Sequence, residues 1–166
     1  MKLYLFRHGT AMEREIAIRK NLADGLRPLT NKGREKTAEM SKHLKTQMEG
    51  VQLLIWSPLV RAEQTAQIIG EILPYEKSLE CSELVPEAPP QVFANWLTSH
   101  AGHVNSVLAV GHEPQLSVFA TWLLSGSTDT FFDLKKSAVI ALEVESFENL
   151  VPGSAALLYM LGPRQL

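Results

Sequence analysis

Short apolar runs alternating with longer stretches of helical spacing constrain this chain more than any other feature. "KLYLF" at residues 2–6, "VQLLIW" at 51–56 and "SVLAVG" at 106–111 read as strands buried on both faces. Between them the spacing turns helical. Thr30 stands as an N-cap for a helix over 31–49, with Ala38, Ser41, Leu44 and Met48 as its inner stripe and Gly50 closing it. Ser57-Pro58 opens another helix, with Ala62, Ala66, Ile69 and Leu73 on one face and Pro74 ending it. "QVFANWLTSH" reads as a shorter helix, and after Pro114 the positions Leu116, Phe119, Ala120, Leu123 and Leu124 make one more. Trp56, Trp96 and Trp122 fall on apolar faces and are expected in the core.

Strands alternating with helices imply βαβ units. The expected fold class is therefore α/β, a three-layer sandwich whose mostly parallel central sheet is flanked by helices. Near the C-terminus the rhythm changes: "SAVIALEVE" and "AALLYML" read as two strands joined by a turn around Pro152-Gly153, a partly antiparallel addition to the sheet. Residues 10–29 and 74–90 carry no clear period and are expected as loops over any site. With 166 residues, 45% hydrophobic and 20% charged, the chain can bury one core and has no room for a second domain, so residues 1–166 are expected to form a single domain.

Composition removes several function classes. The apolar runs are far short of a membrane span and the N-terminus lacks the pattern of a secretory leader, so a cytoplasmic protein without membrane contact is expected. The net charge is −2 with Lys and Arg spread along the chain, which disfavours a nucleic-acid partner. Cys81 stands alone; it can form no internal disulfide and reads as a filler of small apolar space. Nothing in the sequence sets the oligomeric state.

Parallel α/β sheets bind ligands beyond the carboxyl ends of their strands. Three such ends here carry one kind of chemistry: Arg7-His8-Gly9 after the first strand, Ser57-Pro58 with Arg61 after the second, and Gly111-His112 after the third. Two arginines and two histidines brought together call for an anion, and tetrahedral phosphate offers the charge and acceptor oxygens they need. No acidic cluster or Walker-type glycine loop accompanies them, so neither a metal ion nor another cofactor is expected. The nucleophile should then be a side chain. A neutral His8 imidazole can attack phosphorus when its other nitrogen donates a hydrogen bond, Gly9 lets the backbone come close, and Arg7, Arg61 and His112 would hold the phosphoryl oxygens. Thr10 either gives its N–H or hydroxyl to phosphate or simply turns the chain.

Plainer roles stand beside these. His112 could cap a helix; Ser57 fits a turn or cap better than a nucleophile, because no Ser-His-acid arrangement surrounds it. Arg27 either reaches the site or pairs on the surface, and His43, His100 and His103 have the polar neighbours of solvated positions.

Arg7-His8-Gly9-Thr10 resembles the RHG signature that opens the histidine phosphatase (phosphoglycerate mutase-like) superfamily. "SPLVRAEQTA" resembles its second arginine segment, "VGHEP" its second histidine segment, and "RPLTNKGREKTAE" the stretch leading into its first long helix. The motifs occur in family order across residues 3–125, and the short chain most resembles the small SixA-like branch of phosphohistidine phosphatases. The resemblance implies a phosphohistidine intermediate on His8, with Arg7, Arg61 and His112 binding phosphate. It also implies a phosphate-bearing substrate, a phosphohistidine-containing signalling protein in that branch. Larger members supply a glutamate as proton donor; Glu83 in "CSELVP" is the nearest match and Glu87 its competitor. The loop over 74–90 is too short for the helical insert of larger members, so a shallow, open site is expected. A small-molecule phosphomonoesterase of the same superfamily is the alternative, ahead of a mutase, which needs a closed lid, or a non-catalytic phosphate-binding module.

Overall fold

The computed structural model describes residues 1–166. Its centre is a six-stranded sheet in the order β3-β2-β4-β1-β5-β6. Strands β1 (Lys2–Arg7), β2 (Val51–Trp56), β3 (Tyr75–Glu80) and β4 (Ser106–Gly111) run parallel, and β5 (Val139–Val144) and β6 (Ala155–Leu161) complete the sheet antiparallel. β1 lies between β4 and β5, in register Lys2↔Ser106 through Arg7↔Gly111 on one side and Lys2↔Glu143 through Phe6↔Val139 on the other.

The period-2 geometry of β1 explains its double burial. Leu3 and Leu5 join the core on one face, with Phe93, Leu97, Leu116, Phe119 and Leu123 from α4 (Pro90–Ala101) and α5 (Gln115–Ser125). Tyr4 and Phe6 join the core on the other, with Met40, Leu44, Ala62, Ala66 and Ile69 from α2 (Asn31–Gln47) and α3 (Val60–Ile72). The result is the expected three-layer sandwich. Truncating one of these large side chains to alanine costs about 2–5 kcal/mol, a large share of the ~5–15 kcal/mol that holds an ordinary domain folded, whichever face it lies on.

Helix signals held in detail at several points. The Thr30 hydroxyl accepts the Gly33 N–H at 3.0 Å and starts α2, but the helix ends at Gln47 with Met48 as its cap, before Gly50; Gly126, at φ 82° and not singled out in the sequence, ends α5 in the left-handed conformation that glycine adopts without strain. Ala62, Ala66, Ile69 and Leu73 are buried as expected. On α2 the buried stripe is Gly33, Thr37, Met40, Ser41 and Leu44, with Ala38 and Met48 only half-buried. Trp122 is core, but Trp56 and Trp96 are half-buried, and Trp96 stacks on His100 at 4.1 Å between ring centres.

Two segments expected as loops carry structure. Residues 75–80 form β3, every residue exposed, pairing with β2 from Tyr75↔Val51 to Glu80↔Trp56. An edge strand held by backbone hydrogen bonds needs no apolar alternation, so "YEKSLE" hides its conformation. Residues 10–29 contain α1 (Arg14–Arg19) and a single 3-10 turn at Asp24–Leu26, and the segment is closed at its base by an Ala11↔Leu29 bridge. No helix is long and apolar enough to cross a membrane. Cys81 is buried and free; burial pushes its thiol up to about 12, which leaves it an inert filler.

Candidate active site

The carboxyl ends of β1, β2 and β4 lead into one cleft of ≈ 470 Å³, lined by Arg7, His8, Arg61 and His112 among others. His8, Arg61 and His112 are buried at its floor, while Arg14, Glu87 and Lys136 stand exposed at its rim.

β1 presents Arg7 and His8 by running one residue further than its apolar alternation. The Arg7 N–H bonds to the Ala138 carbonyl at 3.0 Å and the His8 N–H to the Gly111 carbonyl at 3.1 Å, so sheet pairing sets both residues. Ser137, at φ 59°, turns its own N–H onto the Arg7 and His8 carbonyls at 3.1 and 3.3 Å. Gly9 does require a close approach, but the partner is α2: a Cβ here would lie 2.6 Å from Thr37 Oγ1 and 2.9 Å from the Gly33 carbonyl oxygen. The Gly9 N–H in turn donates to the Thr65 hydroxyl at 3.1 Å, and that hydroxyl donates to the Arg61 carbonyl at 2.7 Å. Thr65 thus ties the loop after β1 to the first turn of α3.

His8 Nδ1 lies 2.7 Å from the Gly9 carbonyl oxygen, an acceptor only, so Nδ1 carries the proton and Nε2 keeps its lone pair. Burial pushes the His8 pKa down to about 3; the Gly9 carbonyl opposes that shift, and Arg61, Arg7 and Lys136 add to it. His112 is pushed down to about 2, by burial first and then by His8, Arg61 and Arg7. Both rings are neutral at pH 7, with centres 4.9 Å apart. Ser57 Oγ lies 2.7 Å from His112 Nε2 and also receives the Leu59 N–H at 3.4 Å. Its hydroxyl proton is free to go to Nε2, and with that bond made the ring carries its own proton on Nδ1.

The arginines are held differently. Arg7 donates to the neutral Leu134 carbonyl. Arg61 donates to the Asp24 carbonyl at 3.0 Å and pairs with the Asp24 carboxylate at 3.3 Å, while Arg27 and Arg14 reach the same carboxylate at 2.9 and 3.4 Å. Burial raises the Asp24 pKa, but Arg27, Arg61 and Arg14 outweigh it and keep the group ionised. Arg7 Nε, Arg61 Nε and His112 Nδ1 are buried without a hydrogen-bond partner. Buried donors are rarely left so, and three around one cleft describe a receptor for acceptor oxygens.

Of the other residues singled out in the sequence, Glu83 and Thr10 do not line this cleft. The Glu83 carboxylate accepts the Ser82 hydroxyl at 2.6 Å, and its carbonyl accepts from Gln115. The Thr10 carbonyl accepts the Thr30 N–H at 2.9 Å and its hydroxyl at 3.1 Å, which serves the turn. Glu87, the competitor, does line the cleft, as does Arg27. Sequence reasoning missed Asp24, Lys136, Thr65 and Glu113. Glu113 follows His112 directly, accepts the Ser117 hydroxyl at 2.6 Å and has its pKa raised, by burial above all. Its place beside a motif histidine was the one available signal. No three His, Cys, Asp or Glu side chains gather as a metal site.

Comparison with known proteins agrees with this geometry. The family model for the histidine phosphatase superfamily (branch 1) matches residues 3–84, which include Arg7, His8 and Arg61. An uncharacterized protein of Picosynechococcus sp. is 35% identical over 148 residues, covering 86% of this chain and 84% of the relative. The phosphohistidine phosphatase SixA of Escherichia coli is 29% identical over 150 residues, 86% of each chain. A solved structure of the protein histidine phosphatase SixA complexed with tungstate superposes with a TM-score of 0.81 at 27% identity, over 99% of this chain and 98% of the other. With its three strand-end motifs converging on one anion-receptive cleft, the chain belongs to the histidine phosphatase superfamily and is a phosphatase.

Proposed function

We propose that the protein hydrolyses phosphohistidine on a protein substrate, without a metal, through a phosphoryl group carried transiently on His8. The observation that carries this reading is the His8 ring: Nδ1–H fixed on the Gly9 carbonyl at 2.7 Å, the base neutral at pH 7, Nε2 left for attack. Nε2 forms a bond to phosphorus as the substrate's P–N bond breaks, and the departing imidazole leaves neutral if its ring carries a proton. Water then attacks the phosphoenzyme, the His8 N–P bond breaks, and orthophosphate leaves. Arg7, Arg61 and His112 Nδ1–H would hold the phosphoryl oxygens through both steps, the contribution on which phosphoryl transfer chiefly depends. They supply the positive charge that a metal would otherwise bring, so chelator should leave activity intact and vanadate should inhibit.

The open rim favours a phosphorylated side chain standing on a folded protein, and the phosphohistidine phosphatase activity named for the E. coli relative points the same way. Residues 1–166 would act as one domain, supported by a single continuous sheet, in the cytoplasm. A phosphomonoesterase reading has one observation in its favour. Expelling an alkoxide needs an acid, and Glu113, with its raised pKa, is a carboxyl suited to carry a proton at the cleft. The deciding experiment compares kcat/KM for a phosphohistidine protein, a phosphotyrosine peptide and small phosphomonoesters. Clear preference for the first supports the proposal; preference for the monoesters overturns it in favour of the second reading.

A further inference from the structure

A second groove, of ≈ 590 Å³, opens beside the catalytic cleft and shares one residue with it, Lys136. Lys32, Lys36, Lys135 and Arg164 also line it, with no carboxylate and Pro163 as the one apolar side chain among the lining residues. In a chain of net charge −2 this is a strong local excess. Lys36 is paired with Glu39 at 2.7 Å and Lys135 with Asp133 at 3.5 Å, all four exposed, whereas Lys32, Lys136 and Arg164 form no ion pair. Such a groove attracts an acidic partner, and its continuity with the cleft means the partner would carry the reacting group.

The segments that carry the cleft residues argue for a folded partner over a small anion. Phe131 is 83% exposed, on the segment whose Leu134 carbonyl holds Arg7 and whose Lys136 lines both cavities. Leu26, 54% exposed, stands between the cleft residues Asp24 and Arg27. A small phosphate compound has no use for an aromatic ring held out in water, but a protein surface can bury it as an anchor.

We infer that the basic groove and the projecting Phe131 form a docking surface for the acidic face of the phosphorylated protein substrate. The inference rests on the phosphohistidine-protein reading and says where that protein would sit. The docked protein would orient its phosphohistidine over His8, with the groove acting mainly on association.

The test uses the full chain as wild type, as K32E/K36E/R164E and as F131S, none of which alters the cleft. Each is assayed on a small acidic phosphotransfer domain phosphorylated on histidine and on free phosphohistidine, across a salt series. The expected result is a fall of about tenfold or more in kcat/KM on the protein for the triple variant, borne by KM, with a flattened salt dependence. F131S should lose roughly three- to tenfold on the protein. Free phosphohistidine should stay within about twofold of wild type for both. Unchanged protein kinetics, or equal losses on the two substrates, would overturn the docking surface while leaving the phosphohistidine reading in place. Wild-type enzyme that turns over free phosphohistidine but not the protein would overturn both.

Discussion

Arg7 and Arg61 bring the same guanidinium to the same cleft from opposite walls, and the walls are built on different principles. Arg7 ends a central strand, its backbone set by sheet pairing and its side chain held by the neutral Leu134 carbonyl. Arg61 begins a helix and leans on residues 10–29, where Asp24 gathers Arg61, Arg27 and Arg14 about one carboxylate. The sheet wall therefore keeps its positive charge uncompensated; burial first, with Arg61 and then Arg7 adding to it, holds His8 and His112 neutral. The loop wall carries its own internal anion, with which an incoming phosphate must compete.

The largest effects should come from the sheet wall and from Arg61, the loop wall's buried residue at the cleft floor. His8→Ala removes the proposed nucleophile and should cut turnover by roughly 10⁴-fold or more, with folding retained by circular dichroism. Arg7→Ala and Arg61→Ala should each cost on the order of 10²–10³ in kcat/KM. The comparison would break if Arg61→Ala left kcat/KM within tenfold of wild type, because Asp24 would then have been its only ligand.

A pH series probes the same wall through stability. His8 and His112 lie at about 3 and about 2 when folded, against 6.5 as the ordinary value. Below pH 6.5 the unfolded chain takes up protons that the folded chain refuses. Stability is therefore full above that pH and falls as pH drops towards the folded values, by ~1.4 kcal/mol per pH unit for each histidine. Urea midpoints measured between pH 7 and pH 5 should fall, and H8N/H112N should flatten the slope. An unchanged slope in the double variant would locate the acid sensitivity elsewhere.

The loop wall should answer more weakly. Asp24→Asn removes the competing carboxylate, which is half-exposed and screened by solvent, so vanadate should bind only about threefold tighter. Weaker vanadate binding would mean that Asp24 chiefly orients Arg61. Smallest of all, Glu83→Gln should change kcat/KM by less than about twofold on any substrate, since its carboxylate faces Ser82. Glu113→Gln should harm phosphomonoester hydrolysis more than phosphohistidine hydrolysis, measured as the ratio of the two kcat/KM values.

The contrast between walls is also a contrast in what a sequence can disclose. The sheet wall is written locally: an apolar run ends in Arg7-His8, another in Gly111-His112, and period and polarity break at the same residue. Arg61 was legible for the same reason, four residues after Ser57 at the end of β2. The loop wall depends on pairings far apart in the chain. Asp24 meets Arg61 across 37 residues and Gln64 accepts the Leu29 N–H across 35, and nothing in "LADGLRPLT" announces either contact. β3 escaped because an exposed edge strand carries no side-chain pattern. Glu83 falls outside the cleft because the path of residues 81–87 puts Glu87 there and turns Glu83 aside, and Glu113 offered no signal beyond its place next to His112.

The central claim is that His8 Nε2 takes the phosphoryl group. Rapid quench of wild-type enzyme with labelled phosphohistidine substrate should trap a phosphoenzyme that is acid-labile and base-stable, with the label mapping to His8 and absent from His8→Ala. Label retained in His8→Ala, or an adduct stable in acid and mapping to another residue, would contradict it.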